Sequence, residues 1–229
     1  MLPTGGRHGY RVGMAPMTAR SFVCDHTRLR SVPYVPEIGL HLADEPLPLW
    51  EETERHLRVS GLPPPFWAFA WAGGQALARH LLDHRGIVAG RRVLDMASGS
   101  GLVAIAAAVA GAAAVTAAEI DQFGVAAIGL NAAANGVAVR AEAADLLDGD
   151  GAGADVVLAA DTFYDKALTA RLLPFLDRAR SRGALVLIGD PGRAYLPCDH
   201  LAAQAAYDVP VTRELEDADI KRVTVWARA

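Results

Sequence analysis

Cysteine is scarce in this chain: only Cys24 and Cys198 occur among 229 residues, and they lie far apart. That excludes a disulfide scaffold, and neither pairs with a second Cys at the spacing of a zinc site or a redox motif. Both read as free thiols of a reducing compartment. No dense Lys/Arg stripe is present and the formal net charge is -4, so the electrostatic footprint of a nucleic-acid partner is missing. The N-terminus lacks a charged segment followed by an apolar one, which argues against secretion and for the cytosol. The longest apolar run, 102–118, is broken by Gly111 and Thr116, so no membrane span is expected. The seven histidines are scattered, none at metal spacing with Cys or a carboxylate, and no metal is expected.

What is abundant is alanine and apolar side chains. The hydrophobic share is 52% against 21% charged, with a mean hydropathy of +0.20, enough for one α/β domain with a full core. Residues 1–20, rich in Gly and small side chains, read as a flexible tail whose true start is Met1, Met14 or Met17. Residues 21–71 form an N-terminal extension with a helical stretch over 47–60, stopped by three prolines in "GLPPPFW". From Ala72 to the end, helical and strand patterns alternate, which predicts a parallel sheet covered on both faces. The segments "YDVPVTREL" and "IKRVTVWAR" read as a closing antiparallel pair at the sheet edge.

In such a sheet ligands bind beyond the carboxyl ends of the strands. Four predicted strands end in an acidic residue: Asp95 before the turn Gly99-Ser-Gly101, then Glu119, Asp145 and Asp161. The stretch Gly99-Ser-Gly101-Leu-Val-Ala104 fits the dinucleotide pattern G-x-G-x-x-G/A, with Glu119 at a suitable distance for ribose hydroxyls. Asp95 pulls the other way, because a carboxylate beside the turn repels a pyrophosphate. It suits a ligand that carries a cation and no phosphate, and S-adenosylmethionine (SAM) is such a ligand.

Taken in order, "VLDMASGSG", "AAEID", "AADLL" and "LAADTFYD" resemble the successive motifs of the class I, seven-strand SAM-dependent methyltransferases. "PPFWAFAWAGGQALARHLLD" and the D-x-x-Y signature in "DTFY" are similar to the lysine methyltransferases of that class. "LIGDPGR" and "VPEIGLHL" narrow the resemblance to the electron transfer flavoprotein β-subunit lysine methyltransferase branch, over about residues 33–228.

The resemblance implies a Rossmann-like seven-strand sheet, last strand antiparallel, with helices on both faces. Its cofactor would be SAM, released as S-adenosylhomocysteine. Gly99 and Gly101 would let the backbone pass close to it, beside Asp95 and Ala97. Ala97 stands where the family has glycine, a position that needs a small residue. Glu119 would take the ribose, Asp145 the adenine amino group, and Trp71 would wall the methyl donor. Asp161 and Tyr164 would line the acceptor entrance, with Asp190 to Arg193 looped over it to meet the substrate. The implied acceptor is a lysine of the electron transfer flavoprotein β subunit, with the enzyme a monomer or weak homo-oligomer.

Plainer readings exist for each. Trp67 and Trp71 could be core, Asp145 a solvated loop acid, Tyr164 a packed aromatic and Asp190-Pro-Gly-Arg193 a tight turn. A small-molecule N-methyltransferase acting on a nicotinamide-like pyridine, or a non-catalytic SAM-binding module, stands as the alternative function.

Overall fold

The computed structural model describes residues 18–44, 46–57, 64–151 and 153–228. Of the expected tail over residues 1–20, residues 1–17, with Met14 and Met17, lie outside them. Its last three residues belong to structure instead: Thr18 caps helix α1 (Ala19–His26), its hydroxyl accepting the Ser21 N–H. The capping box is completed when the Ser21 hydroxyl oxygen accepts the Thr18 N–H, so two orphan donors are satisfied at once.

A hairpin of β1 (Arg28–Val32) and β2 (Val35–Leu42) follows, then α2 (Pro46–Leu57). Leu49 and Thr53 of α2 are buried on one side, as the helical spacing anticipates. Helix α3 (Ala72–Asp83) opens the repeating part: β3 (Arg92–Met96), α4 (Leu102–Val109), β4 (Ala114–Ala118), α5 (Gln122–Ala134), β5 (Arg140–Glu142), β6 (Val156–Ala160), α6 (Lys166–Ser181) and β7 (Leu185–Asp190). The chain closes with β8 (Leu201–Pro210), the single-turn α7 (Arg213–Glu216) and β9 (Ile220–Arg228).

Seven strands form one sheet in the order β5-β4-β3-β6-β7-β9-β8. The first five pair in parallel, and β9 enters antiparallel between β7 and β8, as expected for the last strand. Side-chain alternation divides the core. Val93, Val156, Leu158 and Leu187 pack on α3, α4, α5 and the hairpin, whereas Leu94, Met96, Val157 and Ile188 pack on α6.

Two boundaries depart from the sequence pattern. Strand β8 begins at Leu201 rather than Tyr207, and "VTREL" turns into α7 instead of extending the strand. The alanine-rich start of β8 has low strand propensity, so its pairing with β9 decides its conformation. At the other edge β5 is only three residues long. Short edge strands limit unwanted pairing.

The N-terminal hairpin is tied to the glycine turn after β3 by one buried side chain. Asn131 of α5 accepts the His41 N–H (2.7 Å) and donates to the Ser100 carbonyl (2.8 Å). The "VPEIGLHL" stretch is therefore part of the support beneath the strand ends.

Helix α3 meets the tip of β7 backbone against backbone. A Cβ on Gly73 would lie 2.3 Å from the Gly189 carbonyl and 2.6 Å from an Asp161 oxygen, whereas one on Gly74 would make ordinary contacts at 3.7 Å. Gly73→Ala should therefore destabilise by about 3 kcal/mol or more, while Gly74→Ala in the same helix should leave the urea midpoint near wild type. Equal midpoints for the two variants would refute this account of the contact.

Candidate functional site

Beyond the carboxyl ends of β3, β4 and β6 lies a cavity of about 440 Å³. Of the residues expected at a site, Trp71, Asp95, Ala97, Gly99, Glu119, Asp161, Tyr164 and Arg193 line it together. Gly101, Asp145 and Asp190 are not part of that lining.

Asp95 is fully enclosed at the end of β3. Its Oδ2 accepts the Ser98 hydroxyl and the Ala104 N–H (3.2 Å), in the first turn of α4. That position matters for the cofactor. A helix N-terminus is where a pyrophosphate would bind, and here the chain's own carboxylate already faces it. Burial pushes the Asp95 carboxyl up to about 7, opposed by the Ser98 and Ala104 hydrogen bonds and aided by the nearby Glu119.

The turn after Asp95 is left-handed at three positions: Ala97 (φ 49°), Gly99 (φ 55°) and Gly101 (φ 82°). Ala97 is thus more than a small residue in a glycine position. It holds a conformation that costs an L-residue about 1 kcal/mol. Gly101 caps α4 and abuts Ile128, where a Cβ would lie 3.2 Å away, so it shapes the turn from behind the cavity wall.

At the end of β4, Glu119 reaches back over the turn. Its Oε2 accepts the Gly99 N–H (2.8 Å), and Oε1 accepts the N–H groups of Ile120 and Asp121 (2.8 and 2.9 Å). Burial raises its carboxyl above the usual range against those hydrogen bonds. Asp145 stands outside the cavity lining. It is exposed, its Oδ1 accepts the Leu147 N–H (3.0 Å) and Arg171 binds its Oδ2 (2.6 Å). Arginine on the α6 face claims this acid.

The end of β6 is built around Asp161, another left-handed residue (φ 55°). Non-glycine residues held there mark strain that the surrounding structure must support. Asp161 Oδ2 accepts the Gly74 N–H (2.8 Å), and Oδ1 receives Arg193 Nη2 (2.6 Å) and Nε (3.2 Å). Burial lifts its carboxyl to about 6, with Arg193 pulling down and Glu216 pushing up. Asp190 is buried and its Oδ1 accepts the N–H groups of Gly192 and Arg193 (2.7 Å each). It acts on the loop that presents Arg193, one step behind the cavity.

Aromatic rings complete the wall. The Trp71 indole donates to the Phe66 carbonyl (2.9 Å), packs edge-on to Phe66 and supports the Arg193 guanidinium 5.5 Å above its ring. Phe66 also packs against Tyr164, whose ring is 47% exposed and so accessible from outside. Residues that the sequence reading did not single out are Phe66, Ser98, Asp121 and the buried Glu216. Phe66 stood inside the quoted "PPFW", but Glu216 had no signal within its acidic run.

The lining contains four carboxylates (Asp95, Glu119, Asp121 and Asp161) against one guanidinium, Arg193. Such a donor set fits a ligand with cationic groups and hydroxyls, and the apolar walls fit an aromatic base. It opposes phosphate. Among the described residues no group of His, Cys, Asp and Glu could hold a metal ion, and no helix is long and apolar enough to cross a membrane.

The family described as Ribosomal protein L11 methyltransferase (PrmA) matches residues 76–161. The electron transfer flavoprotein beta subunit lysine methyltransferase of Xenopus laevis is 39% identical over 214 residues, covering 91% of this chain and 86% of its own length. The Danio rerio protein of the same name is 36% identical, over 90% of this chain and 82% of that relative. The crystal structure of ribosomal protein L11 methylase from Lactobacillus delbrueckii subsp. bulgaricus superposes with a TM-score of 0.51 at 22% identity, covering 70% of this chain and 81% of that one. That likeness shows the fold.

Proposed function

Because this chain belongs to the electron transfer flavoprotein β-subunit lysine methyltransferase family, we propose that its acceptor is a lysine of that β subunit, methylated at the Asp161 end of the cavity. The protein is a SAM-dependent methyltransferase that modifies protein lysine. The observation that carries the site assignment is the acidic cavity joining Asp95 and Glu119 to Asp161 and Tyr164.

Asp95 and Glu119 would hold SAM at its ammonium and ribose, with Gly99 and Ala97 giving backbone access and Trp71 closing the donor end. Asp145, held by Arg171, would reach the adenine amino group only by sharing that partner. Bound there, SAM supplies a methyl group on a sulfonium, open to in-line displacement by an amine.

The chain's own residues prepare the amine. A lysine reaches pH 7 charged, with an ordinary pKa near ~10.4, and must shed a proton before it can attack. The apolar wall of Phe66, Trp71 and Leu168 disfavours the charged form by desolvation. Asp161 accepts an N–H of the amine and points its lone pair, and positioning of this kind supplies much of the rate. Tyr164, at the mouth, would flank the incoming side chain, and Arg193 would contact the substrate from the loop above.

The free thiols Cys24 and Cys198 support a reducing, cytosolic compartment, and the acidic charge balance supports a protein rather than a nucleic-acid partner. We take the enzyme as a monomer or weak homo-oligomer of one methyltransferase domain, residues 21–229.

The test is incubation with methyl-labelled SAM and either purified electron transfer flavoprotein or nicotinamide. Label confined to lysine of the β subunit supports the proposal. Label on nicotinamide alone, or on neither, overturns it.

SAM affinity should also depend on pH. With the Asp95 carboxyl near about 7, a cationic ligand must displace a proton below that pH and meets a carboxylate above it. Kd should therefore fall as pH rises from about 6 to 8, by up to about tenfold per unit on the acid side. Calorimetry in buffers of different ionisation enthalpy should register protons released on binding at pH 6. A flat affinity profile without proton release would remove Asp95 from the ammonium site.

A further inference from the structure

We propose that Glu216 is a positioning residue for the acceptor: by sharing the Arg193 guanidinium it stops that cation from neutralising Asp161, and so keeps the entrance negatively charged. This rests on the acceptor site proposed above.

Glu216 belongs to α7, in the connection between β8 and β9, and only 4% of it is exposed. It is not part of the cavity lining and reaches the site through Arg193. Nη2 of that residue donates to both Asp161 Oδ1 (2.6 Å) and Glu216 Oε1 (2.8 Å), while Nη1 donates to Glu216 Oε2 (3.2 Å). The Trp71 ring beneath the guanidinium, and Asp190 beneath its backbone, keep the cation from following either carboxylate.

Two carboxylates around one guanidinium leave a formal charge of -1. An anchor for Arg193 would not need that excess, because burying a further carboxylate costs several kcal/mol. A site that receives a lysine ammonium gains from it. The arriving cation balances the cluster, then gives its proton to water at the open mouth, and the neutral amine enters the apolar part of the cavity. The groups acting on Asp161 are Arg193, the Gly74 N–H of α3 and Glu216; Tyr164 lines the same cavity, and Asp190 at the tip of β7 bears on Arg193. Burial is the largest influence raising the Asp161 carboxyl to about 6, Arg193 lowers it, and Glu216 adds to the rise. Removing the Glu216 charge therefore moves Asp161 downward.

Glu216→Gln in the full chain tests this. The KM for the protein acceptor should rise about tenfold with SAM affinity unchanged, since a buried neighbouring charge shifts such equilibria by about one pH unit or more. The acid limb of kcat/KM should move down by about one unit. Side-chain ¹³C NMR of Asp161, recorded without cofactor or acceptor, should show the same displacement from about 6. Glu216→Asp, which keeps the charge, should retain the wild-type limb.

A role in anchoring alone would lower thermal stability in Glu216→Gln but leave the acid limb and the NMR titration in place, and that result overturns the inference. If the wild type methylates no lysine, the acceptor assignment fails while the NMR titration still decides the electrostatic coupling.

Discussion

Asp161→Asn should abolish methyl transfer, lowering single-turnover rates by about a thousandfold or more, with SAM affinity within about threefold of wild type. Asparagine keeps the size of the side chain and an oxygen for the Gly74 N–H, so the start of α3 stays satisfied. What it loses is charge. Arg193 would be left paired to Glu216 alone, and the acceptor amine would meet a carboxamide beside a neutral ion pair, without the negative charge that receives it. Losses of 10²–10⁴ are usual for a positioned group that handles a proton in the reaction. Loss of the net negative charge at the entrance, together with the lost acceptor for the amine, places this variant toward the upper part of that range. Alanine would be less informative, because it orphans the buried Gly74 N–H and would confuse loss of fold with loss of chemistry. Methyl transfer in a single-turnover assay, a calorimetric SAM titration and a melting curve together check the prediction. Turnover within tenfold of wild type would remove Asp161 from the acceptor site.

The second large effect is on the cofactor. Glu119→Ala should weaken SAM binding by about 100-fold or more, while turnover at saturating SAM stays within about tenfold. The Glu119 carboxylate accepts three backbone N–H groups, one from Gly99 in the glycine turn. Gly124 leaves just enough room for it, since a Cβ there would lie 2.7 Å from Glu119 Cγ. Its removal therefore deletes the acceptor proposed for the ribose and also loosens the turn. Charged hydrogen bonds contribute about 1.5–3 kcal/mol each, so losing even two accounts for the predicted factor. Because Glu119 follows β4 and Asp161 follows β6, with β3 between the two strands, the loss should fall on the SAM KM. Wild-type affinity by calorimetry would exclude it from the ribose site.

Much of this site was legible residue by residue. A strand pattern followed by a glycine turn placed Asp95 and Gly99, and the same reasoning placed Glu119 and Asp161 at strand ends. Ala104, which mimicked a dinucleotide pattern, proves to be the residue whose N–H Asp95 binds. The feature that confused the motif therefore helps exclude a pyrophosphate. Asp145 was legible only as a strand-end acid. It stood at a strand end like the others, but Arg171, on a helix that follows it in sequence, takes up its Oδ2.

Local chemistry is what the sequence by itself determined: the alternation of buried strands and helices, the acids at four strand ends, the cation-seeking character of the glycine turn. Each depends on neighbours a few residues away, so spacing alone reports it. The tertiary structure decided which acids share a cavity and which do not. Glu216 comes from the connection between the two closing strands, meets Arg193 from the loop after β7, and through it touches Asp161 from β6. Nothing in "RELEDAD" separates Glu216 from its solvated neighbours. Its burial follows from the insertion of β9 between β7 and β8, a long-range pairing that carries α7 to the mouth of the site.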